Sequence, residues 1–297
     1  MNRIQHYARI AGRTLIRTPL PAWAYTSTFG KFRVPSPTTA VLKKHAVDIE
    51  LVDRTRVVWL DRHKAANGVI VYLHGGGYVS GPFQGDWEWL SQQADARECA
   101  GLLIDYRYGP DYVHPTALDD ATAVVRALLA EATIAAGTWV LAGHQSGAGL
   151  GVALVARLEA EGANAAPAGV VLMNPCLDLA LTNLELTETE SRDPVHERRL
   201  LQVSAEAYAG RASLDDPELS PVHGNLGFLG PTHVSVGSKD LFLTDTRILK
   251  LQLEQADVAL TYREINGRIS VAPRLRRGAD MQRLMSEQRA FIERALG

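Results

Sequence analysis

Val140 to Leu150 read VLAGHQSGAGL, an apolar run that enters a Gly-bounded turn and leaves it as a stretch of small residues suited to a helix. A strand that turns this sharply into a helix, as in G-x-S-x-G, needs small residues two before and two after its apex. Framed on Ser146, the flanks are His144 and Ala148, and an imidazole would have to fit where the turn has almost no room. Framed on Gln145, the flanks are Gly143 and Gly147. Sterics favour the second frame. The position that would present an attacking hydroxyl then presents a carboxamide, a very poor nucleophile.

Working outward, the chain alternates between two periods. Val47–Val52 and Arg56–Leu60 alternate apolar and polar residues about Asp53 and Arg54, which predicts an antiparallel hairpin at a sheet edge. Gly68–Leu73 and Gly101–Asp105 are continuous apolar runs, as expected of strands buried on both faces, with a helix over Trp87–Cys99 between them. The alternation continues with a helix from Pro115 to about Glu131, strand Thr138–Ala142, helix Gly147–Glu161 and strand Gly169–Met173. After a polar insertion come a helix near Arg198–Tyr208, strand His233–Val236, helix Thr244–Gln255, strand Ala259–Ile265 and a last helix over Asp280–Leu296. This pattern predicts the α/β class, with a mainly parallel central sheet and helices on both faces. Chemistry in such sheets sits beyond the carboxyl ends of the strands. Arg3–Arg17 predicts a short helix stopped by Pro19 and Pro21, and the aromatic residues Trp23, Tyr25, Phe29 and Phe32 follow it. Residues 1–46 are therefore expected to form an N-terminal cap or lid segment, and residues 47–297 the core domain.

Composition narrows the partners. With 297 residues, 46% of them hydrophobic, there is ample material for a buried core, and a net charge of -2 argues against a general nucleic-acid binder. Eight Lys or Arg fall between Met1 and Lys44 with no Asp or Glu before Asp48. That asymmetry suits a solvated lid face, or else a docking face for an acidic partner, an anion or a membrane surface. Cys99 and Cys176 lie in or beside apolar runs, which reads as two buried thiols in a reducing, cytoplasmic setting. No segment reaches 18 uncharged apolar residues. No cluster has metal-ligand spacing, and neither a G-x-G-x-x-G after a strand nor a P-loop occurs, so no metal, nucleotide or flavin cofactor is implied. A small-molecule ligand is expected, with a homodimer as a further possibility.

HGGGY, His74 to Tyr78, follows the strand at Gly68–Leu73. Its glycines can turn their backbone N–H groups inward with no Cβ in the way, which would make an oxyanion hole from Gly75, Gly76 and Gly77 with the N–H of Ser146. With the turn at Gln145, this resembles the bacterial hormone-sensitive-lipase-like family of α/β-hydrolases, carboxylesterases of the acetyl-esterase type. The likeness covers roughly residues 47–297. DYRYGPDYVHPTALDD (Asp105 to Asp120) is similar without gaps to the family's DYRLAPEHPFPAALDD, and AGHQSGAGL to its AGDSAGGGL, which places Gln145 on the catalytic serine. NPCLD (Asn174 to Asp178) resembles SPWxD, SPVHGNL resembles the segment before the next strand, and GSKDLFLTD (Gly237 to Asp245) resembles the stretch that carries the catalytic acid, here Asp240. The resemblance implies an α/β-hydrolase fold.

Two departures bear on activity. The family's histidine lies in the loop after the last strand, but no histidine follows His233, and the family's E-G-M-x-H corresponds to Asn266, Gly267, Arg268, Ile269 and Ser270. The general base is thus replaced by the hydroxyl of Ser270. His144, where the family has Asp, either reaches the site or packs against a neighbouring strand. His74 reads as an anchor of the glycine turn, and His114 as a surface or supporting residue.

Three functions fit these residues. In the first, the oxyanion hole stabilises an enolate or alkoxide while Gln145, His144 or Ser270 positions a small carbonyl compound, with Asp240 retained; lyase, cyclase, isomerase or dehydratase chemistry needs no acyl-enzyme. In the second, the pocket is a receptor or partner-binding site without chemistry, as in plant gibberellin receptors, which resemble the same family and also lack its histidine. In the third, an ester hydrolase is rebuilt on Ser146 and His144, whose side chains diverge across so tight a turn. The missing imidazole also predicts extra room beside Gln145.

Overall fold

The computed structural model describes residues 33–183, 198–268 and 278–297. Strands β1 (Val47–Val52), β2 (Thr55–Leu60), β3 (Val69–Leu73), β4 (Ala100–Asp105), β5 (Trp139–His144), β6 (Gly169–Met173), β7 (Thr232–Gly237) and β8 (Leu260–Ile265) form one sheet in the order β1-β2-β4-β3-β5-β6-β7-β8. Described helices are the single turn α1 (Thr39–Leu42), then α2 (Gln84–Arg97), α3 (Thr116–Ala130), α4 (Ser146–Ala160), α5 (Arg198–Ala209), α6 (Leu243–Gln255) and α7 (Ala279–Leu296).

The predicted hairpin is present: β1 pairs antiparallel with β2 from Val47 opposite Leu60 to Val52 opposite Thr55, and Asp53 in the turn takes φ 55°. β2 runs antiparallel to β4, and every pair from β4 across to β8 is parallel. The continuous apolar runs face two ways, as the strand period of two requires. On β3, Val69, Val71 and Leu73 enter the core beneath α3 and α4, while Ile70 and Tyr72 enter the core beneath α2 and α7. Burial on both faces is therefore why these strands show no polar alternation. The edge strands differ, since β1 leaves three residues exposed and β8 two.

Each predicted element in the described range is found, with boundaries moved by up to three residues; β5, for example, continues to His144. A 3-10 helix over Arg62–Asn67 carries no sequence signal noted above. The predicted helix at Arg3–Arg17 and the aromatic cluster after it lie outside the described residues. Of the expected cap, residues 33–46 are described, and they hold to the core: Val34 N–H donates to the Pro82 carbonyl at 2.7 Å, Trp87 Nε1 donates to the Val34 carbonyl at 2.6 Å, and Val41 is buried. No helix among the described residues is long and apolar enough to cross a membrane.

Candidate active site

The turn between β5 and α4 fixes the frame. Gln145 takes φ 50° and ψ −118°, a combination L residues rarely adopt, and Ser146 is the first residue of α4. A Cβ on Gly143 would lie 2.6 Å from the Ala148 Cα, and one on Gly147 would lie 2.2 Å and 2.3 Å from the Leu73 and His74 carbonyl oxygens. Both flanks must be glycine, so Gln145 occupies the apex. Its main chain holds the surroundings together: Gln145 N–H donates to the Met173 carbonyl at 2.9 Å, and its own carbonyl accepts from Ala148, Gly149 and Cys176 at 3.0, 3.2 and 3.1 Å.

The glycine loop after β3 faces this apex. Gly76 (φ 134°) carries no Cβ because one would meet the Ser80 carbonyl oxygen at 2.1 Å, and Gly77 takes φ 63°. His74 anchors the loop, as its motif position implies. Its ring stacks on Tyr106 at 4.3 Å and its Nδ1 donates to the Gly75 carbonyl at 2.9 Å. Burial pushes the His74 imidazole down to about 4, with Asp105 pulling the other way, so the ring is neutral at neutral pH. Asp105 lies 3.9 Å from its Nε2 and is clamped by Arg33 at 2.7 and 2.9 Å and by Arg56 at 3.0 Å.

The other sequence-selected residues are distributed unevenly. Ser146 is fully buried beside the Tyr106 hydroxyl, which donates to the His74 carbonyl at 2.7 Å. His144 is buried behind the loop; its Nδ1 would lie 2.7 Å from a Cβ on Gly75 and sits 3.9 Å from Asp86 Oδ1. The ring thus lies against Gly75 of the glycine loop, next to the Gln145 side chain, whose Oε1 would be 3.2 Å from the same Cβ. Asp240 is fully buried after β7, where it accepts from the Asn174 side-chain amide and from the Phe242 N–H at 2.9 Å. Ser270 lies outside the described residues.

A cavity of about 20 Å³ adjoins the apex, lined by Gly77, Gln145, Ser146, Cys176 and the apolar residues Leu179, Leu181, Leu201, Ala205 and Phe242. That volume holds about one water. The segment that would carry the imidazole, with Ser270, lies outside the described residues, so the extra room expected beside Gln145 does too. Neither His144 nor Asp240 lines the cavity.

Two residues and one helix named above take places at the site that the sequence reading did not give them. Asn174, which carries the amide on Asp240, had its motif position as the only signal. Cys176 stands on the cavity wall, and burial, with Asp245, Asp178 and Asp240 nearby, raises its thiol well above the usual range, so it is a poor nucleophile. Helix α5 closes over the loop, with Tyr208 stacked on Tyr78 at 4.2 Å, so part of the covering comes from within residues 47–297. Among the described residues no three His, Cys, Asp or Glu side chains are grouped to hold a metal ion.

The model of the alpha/beta hydrolase fold family matches residues 70–272, a span that includes the glycine loop, the Gln145 turn and Asp240. The chain belongs to the alpha/beta hydrolase fold family. Within that family it is 32% identical over 217 residues to an acetyl-hydrolase of Streptomyces hygroscopicus, covering 73% of this chain and 72% of the relative. It is 30% identical over 204 residues to an esterase of Acinetobacter venetianus, covering 68% and 67%. Among solved structures, a double mutant of an esterase superposes with a TM-score of 0.83 at 25% identity over 99% of this chain and 97% of that one. A bacterial hormone-sensitive-lipase-family esterase, at 24% identity and a TM-score of 0.82 over 100% and 99%, shares the same alpha/beta hydrolase fold.

Proposed function

We propose that the protein acts on a small carboxylic ester or related acyl compound, bound at the Gln145 apex with its carbonyl oxygen against the amides of Gly76, Gly77 and Ser146, and that no acyl-enzyme forms there. The names of the relatives, esterase and acetyl-hydrolase, support the substrate class. One observation carries the mechanism: the side chain at the strained apex is the carboxamide of Gln145. An amide cannot add to a carbonyl as an alkoxide would, but it can donate and accept hydrogen bonds and so orient a ligand. Backbone amides that stabilise developing negative charge serve an enolate as well as a tetrahedral oxyanion. The site, with Asp240 retained behind it, therefore suits lyase, cyclase or isomerase chemistry on a carbonyl compound.

The relatives' names favour a second reading, hydrolysis by a site rebuilt on Ser146 and His144. Ser146 lines the cavity and could supply a hydroxyl, while His144 packs behind Gly75 and does not line it. Initial rates with p-nitrophenyl acetate and butyrate separate the two. The first reading expects rates at least about four orders of magnitude below those of a complete triad. A rate of ordinary esterase size that Ser146→Ala abolishes would establish the second.

A further inference from the structure

Helix α5 meets the glycine loop through Leu201, Ser204, Ala205 and Tyr208, residues spaced to share one side of a helix. Leu201 and Ala205 close the cavity and Tyr208 stacks on Tyr78. Ser204 is the polar member of this side. It stands over Gly77, where a side chain would meet Ser204 Cβ at 3.6 Å and Oγ at 3.7 Å.

Its hydroxyl behaves unlike those of other described mid-helix residues. Thr122, Thr246 and Ser286 donate to the carbonyl four residues back at 2.6, 2.6 and 3.1 Å, and Ser91 meets His45 Nε2 at 2.7 Å. Among the described residues Ser204 makes no such bond, although Leu200, four residues back, is described. Serine is a middling helix former whose hydroxyl normally turns back on the main chain. A half-buried hydroxyl with no partner among the described residues is a spare hydrogen-bonding group beside the loop that would receive a ligand.

We propose that Ser204 is a ligand-binding residue that selects acyl compounds bearing a hydroxyl, or another hydrogen-bonding oxygen, next to the carbonyl. This rests on the reading that the carbonyl lies against the amides of Gly76 and Gly77. The Gly77 nitrogen and α-carbon are one bond apart. The point 3.7 Å from Ser204 Oγ, where a Cβ on Gly77 would stand, is two bonds from that nitrogen, and in this assignment the substituent next to the bound carbonyl lies on this side of the loop. An alkyl group in the same place strips water from the hydroxyl and returns nothing, a loss of roughly tenfold in affinity.

Ethyl lactate and ethyl isobutyrate differ only by a hydroxyl in place of a methyl on that carbon, so ligand-observed NMR titration with the two tests the assignment. The wild-type protein is expected to bind ethyl lactate about tenfold more tightly. Ser204→Ala, which favours the helix, should erase the preference, chiefly by tightening ethyl isobutyrate about tenfold as the penalty on its methyl group is removed, and Ser204→Thr should keep it. Equal binding of both esters by the wild type, or a preference that survives Ser204→Ala, overturns the role of Ser204 alone. Binding of neither ester overturns the carbonyl-site reading and this assignment with it.

Discussion

At Gln145 the backbone and the side chain answer to separate demands. The main chain is held by four hydrogen bonds and by two glycines whose missing methyl groups would strike backbone atoms that cannot yield. Gly147→Ala is accordingly expected to cost about 3 kcal/mol or more and to abolish soluble yield, since overpacking typically costs about 1–3 kcal/mol and the atoms struck here are backbone that cannot yield. Gln145→Ser keeps the same main chain and should shift stability by no more than about 0.5 kcal/mol. Soluble yield of the first variant and thermal denaturation of the second check the two outcomes. The apex was legible in the sequence because the steric argument is local, resting on residues two apart. The Asn174 amide on Asp240 was not, because it joins residues 66 apart that only the sheet order brings together.

At the level of elements, the parallel strands were legible from unbroken apolar runs, and the hairpin from its alternation about Asp53 and Arg54. The covering role of α5 was not, since amphipathic spacing shows that one face is buried without saying what lies beneath it. The first turn of α6 carries a second hidden feature. Burial, reinforced by the Asp178 carboxylate and opposed by a hydrogen bond from Asn183, pushes Asp245 up from 3.8 to about 7. Its folded-state value exceeds the unfolded one, so its stabilising effect is complete below about pH 4 and is lost as pH rises through 7. Asp178 also holds the turn behind the cavity, accepting from Leu181 N–H at 3.1 Å and Thr182 N–H at 2.7 Å. Asp245→Asn removes the repulsion. The melting temperature should rise by about 2–4 °C at pH 8 and by less at pH 5, as differential scanning calorimetry can establish.

Across the whole molecule, two imidazoles set the acid limit. Burial lowers His74 and His233 from 6.5 to about 4; His74 lies beneath the glycine loop, and His233 sits on β7 with its ring edge-on to Phe291 at 5.8 Å. Depressed histidines contribute stability that is present above pH 6.5 and lost as pH falls toward 4, because the unfolded chain takes up the protons first. Asp61, where hydrogen bonds from His45 and Lys64 outweigh burial and lower it to about 2, adds a further loss below about pH 4. Urea midpoints should therefore fall between pH 7 and 4.5, and His233→Val should flatten that dependence by roughly 1–3 kcal/mol. Retention of the full slope would remove His233 from this role. The turn at Gln145 has a consequence of another kind, for the ancestry of such chains. Its two glycines are answerable to folding, while the side chain between them borders the cavity. A change of that side chain leaves both glycines and the main-chain hydrogen bonds of the turn in place, so over generations the apex can vary while the scaffold around it is kept.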